Sequence, residues 1–177
     1  MKILIVVDMQ NDFVSGSLGT SEARSIVPKV TEKIETHLKN KNMVVFTRDT
    51  HDSNYLETFE GENLPVEHCI ENTHGWEIVD ELKDFVKKAE VVINKPTFGS
   101  FKLLEFLEKL IKKRDIKKIE LCGLCTDICV VTNALLLRTK FPELPIVIDA
   151  SCCAGVTEES HEYALKTMEA CQIGVIY

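Results

Sequence analysis

Six short apolar runs, most of them β-branched, punctuate this chain: Ile3–Val7, Val44–Thr47, Val91–Ile93, Ile119–Leu121, Ile146–Ile148 and Gly174–Ile176. Runs so short and continuously apolar suit strands covered on both faces. Between them the period changes. Ile26, Val30, Ile34 and Leu38 recur every four residues. Val79, Leu82 and Val86 form a second stripe, and Leu103, Leu104, Leu107, Leu110 and Ile111 a third. Ile128, Val131, Leu135 and Leu136 form a fourth, and Tyr163, Leu165, Met168 and Ala170 suggest a fifth. Thr157-Glu158-Glu159-Ser160 reads as a helix start, with its acids at the positive end of the dipole. Strands and helices alternating in this way specify an α/β fold with a mostly parallel sheet flanked by helices on both faces.

No repeat, low-complexity tract or Pro/Gly-rich linker divides residues 1–177, so a single domain is expected. The formal charge of −7 gives no general attraction for nucleic acid or anionic lipid. Lys112-Lys113-Arg114 and Lys117-Lys118 are short, lie near acids and read as solvated helix ends. No stretch reaches the roughly 18 apolar residues that span a bilayer. The apolar N-terminal run meets Asp8 too soon for a signal peptide. A cytoplasmic protein without a membrane or nucleic-acid partner is therefore expected. Seven cysteines, an odd number, argue against a disulfide framework. Cys69, Cys152, Cys153 and Cys171 read as packing residues.

In a doubly wound sheet, ligands bind beyond the carboxyl ends of the strands. Chemically capable residues should stand there, and they do. The first run ends in Asp8, the second in Arg48-Asp49-Thr50-His51, the third in Asn94-Lys95, and the fourth in Gly123-Leu124-Cys125-Thr126-Asp127-Ile128-Cys129. Singly, each has a bland reading: a turn aspartate, a solvated lysine, a packed thiol. Together they put a carboxylate, an ammonium, a thiol and an Asp-x-His pair at one sheet edge. A free thiol titrates near 8.5 and holds little thiolate at neutral pH. A helix start and a neighbouring Lys95 would favour the thiolate of Cys129. Asp8 could take the thiol proton and return it to a leaving amine. Backbone N–H groups of the Gly123–Cys129 turn could face an oxyanion.

Three segments resemble the isochorismatase-like cysteine hydrolases. They are Val7-Asp8-Met9-Gln10-Asn11-Asp12-Phe13 with Gly16-Ser17-Leu18, Lys95 before Pro96-Thr97-Phe98-Gly99-Ser100-Phe101, and Gly123-Leu124-Cys125-Thr126-Asp127-Ile128-Cys129-Val130. The resemblance implies a three-layer Rossmann-like fold with a six-stranded, mostly parallel sheet, and a catalytic triad of Asp8, Lys95 and Cys129. Asp8 would be the base, Lys95 would steady the thiolate, and Cys129 would form a thioester. It also implies a cis peptide at Leu124-Cys125, with the N–H groups of Cys125 and Cys129 as an oxyanion hole. Resemblance to the nicotinamidase branch adds a divalent metal, Zn, Fe or Mn, on Asp49, His51 and His68, with Glu60 as a further ligand. There the metal would anchor a ring nitrogen while Phe13 and Phe98 flank the ring. The substrate would be a small-molecule amide, with nicotinamide foremost. Family members range widely in assembly, so a homo-oligomer is compatible with the chain. Cys125 stands where the family usually has Ala, Glu67 directly precedes His68, and Leu64 replaces a common aromatic. These departures fall around the ring pocket.

Rival readings remain. A metal-free member of the same family would hydrolyse an N-carbamoyl or other small amide. A true isochorismatase, cleaving a vinyl ether, would not need the thiol. Cys122-x2-Cys125 with Cys129 superficially resembles zinc-ligand spacing, although Cys122 falls inside an apolar run. Cys125 and Cys129 could also serve as a redox pair. His37 and His161 are expected on helix surfaces and His74 in a polar loop. Trp76 and Glu77 are expected to open a helix, Asp127 to cap one, and Asp149 to be a turn residue or a partner of a site residue.

Overall fold

The chain runs outward from the centre of its sheet, then returns to the centre and runs outward the other way. The computed structural model describes residues 1–177. Strands β1 (Lys2–Val7), β2 (Met43–Asp49), β3 (Val91–Lys95), β4 (Lys118–Leu124), β5 (Ile146–Ala154) and β6 (Gly174–Ile176) form one all-parallel sheet in the order β3-β2-β1-β4-β5-β6. The direction reverses between β1 and β4, which opens a crevice at their carboxyl ends. Helices α1 (Asn11–Val14), α2 (Ser21–Lys39), α3 (Phe59–Asn63), α4 (Lys83–Val86), α5 (Phe101–Ile111), α6 (Val131–Lys140) and α7 (Glu158–Ala170) connect the strands. A π-helical turn, Thr126–Val130, leads into α6. No helix is long and apolar enough to cross a membrane.

The sheet is buried at its centre because β1 has no polar face: Ile3 to Val7 are all fully covered. They join one core of 41 buried residues. The longest helix, α2, starts at Thr20, whose side chain accepts the Ala23 N–H, and buries Ala23, Ile26, Val27, Val30, Ile34 and His37. Thr157 and Ser160 form a capping box at the start of α7, as their sequence indicates.

Several expectations need correction. His37 is buried, turned toward Glu120 inside β4. His37 Nε2 lies 3.2 Å and Lys33 Nζ 3.1 Å from Glu120 Oε2. Strand β5 runs on to Ala154, so Asp149 lies inside it, paired with Lys33 at 2.8 Å, and is not a turn residue. Trp76 opens no helix. It lies under the Arg48 guanidinium, 3.4 Å from the ring centroid, and donates to Thr50. The buried faces of α6 and α7 are Asn133, Ala134, Leu137 and Ala164, Leu165, Met168. The fourth stripe is therefore only partly buried, while Tyr163 and Ala170 are exposed. Cys171 is exposed, whereas Cys69, Cys152 and Cys153 are buried.

Candidate active site

At the end of β1 the backbone turns through Asp8 with a φ of 47°, a conformation that aspartate tolerates better than most residues. This turn holds the carboxylate in the crevice without solvent contact. Thr47 of β2 donates to Asp8 Oδ1 at 2.7 Å, and Lys95 Nζ lies 2.6 Å from Oδ2. Lys95 ends β3 opposite Asp49 in the strand register, and its ammonium donates to Asp49 Oδ1 at 3.0 Å. It also donates to the Thr97 carbonyl at 3.2 Å and to Cys129 Sγ at 3.3 Å. The three expected triad residues thus meet, all buried, and Lys95 joins them to the second cluster.

Burial pushes the Cys129 thiol well above its usual range, against the pull of the Lys95 charge. Burial likewise raises Asp8, with Lys95 again opposing it. Burial disfavours the Lys95 cation, but Asp8, Cys129 and Asp49 together hold it protonated. Burial thus works against the thiolate that the helix start and Lys95 favour.

The nucleophile loop follows β4. The Leu124–Cys125 peptide is cis. The Ile128 and Val130 N–H groups both donate to the Cys125 carbonyl, at 3.1 and 3.0 Å, which closes the turn around Cys129. Asp127 caps no helix; its carboxylate accepts the Val156 N–H. Cys122 is fully buried in the core and is not among the groups that converge as metal donors.

Asp49, His51, Glu60 and His68 form the second cluster, with their donor atoms all within 4.8 Å of one another. His51 Nε2 lies 2.9 Å from Asp49 Oδ2 and 3.7 Å from Glu60 Oε1. His68 Nε2 lies 3.6 and 3.8 Å from the same two oxygens. His68 Nδ1 donates to the Val66 carbonyl at 2.8 Å, which leaves the Nε2 lone pair turned inward. Tyr55 packs against both imidazoles, with ring centroids 4.8 and 4.9 Å apart. Burial and the Asp49 charge raise Glu60, as two inward carboxylates require. Two carboxylates and two oriented imidazoles match the donor chemistry of Zn, Fe or Mn, so the residues fit such an ion.

Both groups face a cavity of about 260 Å³, walled by Phe13, Phe98, Leu64, Cys125, Cys129 and Val156 among others. Phe13 and Phe98 both line this cavity. Sequence reasoning missed the supports. Gln10 is fully buried, donates to the Asp49 carbonyl at 2.8 Å and accepts the Asp49 N–H at 2.7 Å. Asp12 accepts the Cys69 N–H beside His68 at 2.8 Å. Asn133 donates to the Phe98 and Cys129 carbonyls and accepts the Ser100 N–H. The available signal was a polar residue in an apolar helix, four positions after Cys129.

The Isochorismatase domain model matches residues 2–176. A nicotinamidase of Schizosaccharomyces pombe is 30% identical over 98% of this chain and 91% of its own length. A crystal structure of a pyrazinamidase of Pyrococcus horikoshii in complex with zinc superposes with a TM-score of 0.82 at 29% identity, over 99% of this chain and 98% of that one. A nicotinamidase/pyrazinamidase structure from Bacillus subtilis superposes with a TM-score of 0.83 at 28% identity over the whole of both chains.

Proposed function

The chain belongs to the isochorismatase family and is a hydrolase of amide bonds, and from that premise we propose that it converts nicotinamide to nicotinate and ammonia through a thioester on Cys129. The observation that carries the reading is the buried contact of Lys95 with Asp8 and with Cys129, which itself lines a cavity of about the size of one ring. Drug-sized ligands fill about 300–1,000 Å³, so this cavity favours a small amide. The ring-amide names of its relatives support the same class.

In this mechanism Asp8 takes the Cys129 proton, and the sulfur attacks the amide carbon. The carbonyl π pair moves onto oxygen, which accepts hydrogen bonds from the Cys125 and Cys129 N–H groups. Asp8 returns the proton to the leaving nitrogen. The C–N bond breaks, ammonia departs and the thioester remains. Asp8 then deprotonates a water that attacks the thioester, and the acid leaves as Cys129 regains its proton. Lys95 keeps its charge throughout and holds the carboxylate against the sulfur. Phe13 and Phe98 hold the ring between them and exclude water. Asp49, His51, Glu60 and His68 would hold a divalent ion, which supplies a Lewis-acid anchor for the ring nitrogen when bound.

The test is ammonia release from nicotinamide by metal-supplemented protein and by its Cys129→Ala variant. The wild type should release ammonia, and the variant should lose activity on the order of 10³-fold or more. A silent wild type removes nicotinamide from the reading; an active variant removes the thioester.

A further inference from the structure

We infer that His161, on α7, is a positioning residue for the oxyanion side of the nucleophile loop and acts through Thr126. The inference rests on the thioester reading of the cavity. Thr126 is fully buried and lies between Cys125 and Cys129, the two residues whose N–H groups face the oxyanion in that reading. Its hydroxyl shares a 2.8 Å hydrogen bond with His161 Nδ1. His161 stands in the first turn of α7, a helix end already held by the Thr157–Ser160 capping box. It is half-buried against the loop, contrary to its expected place on a helix surface.

A second fastening lies beside the first. The Asp127 carboxylate accepts the Val156 N–H at 3.1 and 3.3 Å, and Gly155 and Val156 are cavity wall. Two successive loop residues are thus tied to the corner between β5 and α7. That corner has no slack, since a Cβ on Gly155 would lie 2.9 Å from the His161 nitrogen. Without that bond the Thr126 side chain could leave its place and let the adjoining backbone at Cys125 shift, moving the Cys125 N–H off the oxygen. The hydrogen bond to an independently anchored helix holds Thr126 where it is. Removing an oxyanion donor outright lowers turnover about 10²–10³-fold, so a misaimed one should cost about tenfold.

The probe is an aldehyde. Cys129 Sγ adds to the carbonyl carbon, the π pair moves to oxygen, and the thiol proton passes by way of Asp8 to that oxygen. The resulting thiohemiacetal places its oxygen where the oxyanion forms. Pyridine-3-carbaldehyde and benzaldehyde both report this geometry, whatever the natural ring. Nicotinate reports cavity binding without it. His161→Ala and Thr126→Val should each weaken aldehyde inhibition about tenfold. Each should lower kcat by a similar factor, with KM and nicotinate affinity within about threefold of wild type. The double variant should be no worse than either single, because both remove one bond. His161→Asn and Thr126→Ser should recover most of the loss. Unchanged aldehyde inhibition in His161→Ala overturns the inference. So does a loss of aldehyde and nicotinate affinity in step with a fall in Tm, which marks a merely structural contact. Nicotinamide turnover by the wild type is scored separately and judges the substrate alone. Failure of the wild type to bind either aldehyde overturns the thioester reading and this inference with it.

Discussion

Lys95 carries its charge into a site with no solvent contact, and Asp8 and Asp49 meet it there from two different strands. Unpaired, such a cation would lose its proton; flanked by two carboxylates and a thiol it keeps it. Thr47 tunes the other side of this balance, because its hydroxyl donates to Asp8 and lowers a carboxyl that burial has raised. Thr47→Val keeps the shape and removes the donor, so Asp8 should rise further. The acidic limb of the kcat/KM profile should then move to higher pH, and activity near neutrality should fall about tenfold, as expected for a lost hydrogen bond to a buried charge. An unmoved acidic limb would remove Asp8 as the base. Asp8 and Lys95 were legible because they stand at the ends of apolar runs, and Cys129 because it lies in the loop that follows the fourth. Thr47 and Asn133 were not, since polar residues inside a strand or helix reveal their partners only once neighbouring elements are packed.

Strand β4 approaches β1 more closely than a side chain allows. Gly123, with a φ of 117°, pairs with Val7, and a Cβ there would lie 2.1 Å from the Val7 carbonyl oxygen. The close approach sets the nucleophile loop beside the Asp8 turn at the point where the sheet reverses direction. Gly123→Ala therefore meets both a strained backbone and a backbone clash, and should destabilise the fold by about 3 kcal/mol or more. Urea denaturation checks this, and a variant within about 0.5 kcal/mol of wild type would show that the contact is not required. Element type followed from periodicity, yet extent did not. Strand β5 was expected to stop at Ile148 and continues to Ala154, because ladder pairing with β4 resumes past a register shift between Leu121 and Gly123. The ion pair of Glu120 with Lys33 and its hydrogen bond with His37 explain how an acid survives in a central strand, and no local pattern announces them.

The two site clusters are assembled from segments that span most of the chain, from Asp8 to Cys129, and the sheet order alone makes them neighbours. A bound ion that ties β2 to the segment carrying Glu60 and His68 should stabilise the whole molecule. Zn²⁺ at about 100 times its dissociation constant contributes about 2.7 kcal/mol. For a chain of this size that should raise Tm by roughly 5–10 °C, and His68→Ala should abolish most of the shift. Equal shifts in both proteins would place the ion elsewhere. The alternation of apolar runs and helical stripes was sufficient for the α/β class, because burial on two faces leaves no polar alternative along a strand. The residues at the strand ends were sufficient for a thiol, a carboxylate and a lysine in one crevice, because parallel strands must end on one edge. The hydrogen bonds of Gln10, the fastening of Thr126 to His161, the neutralisation of Glu120 and the upward push on Cys129 depend on which surfaces meet and how much water they exclude. Those quantities exist only after distant segments have packed.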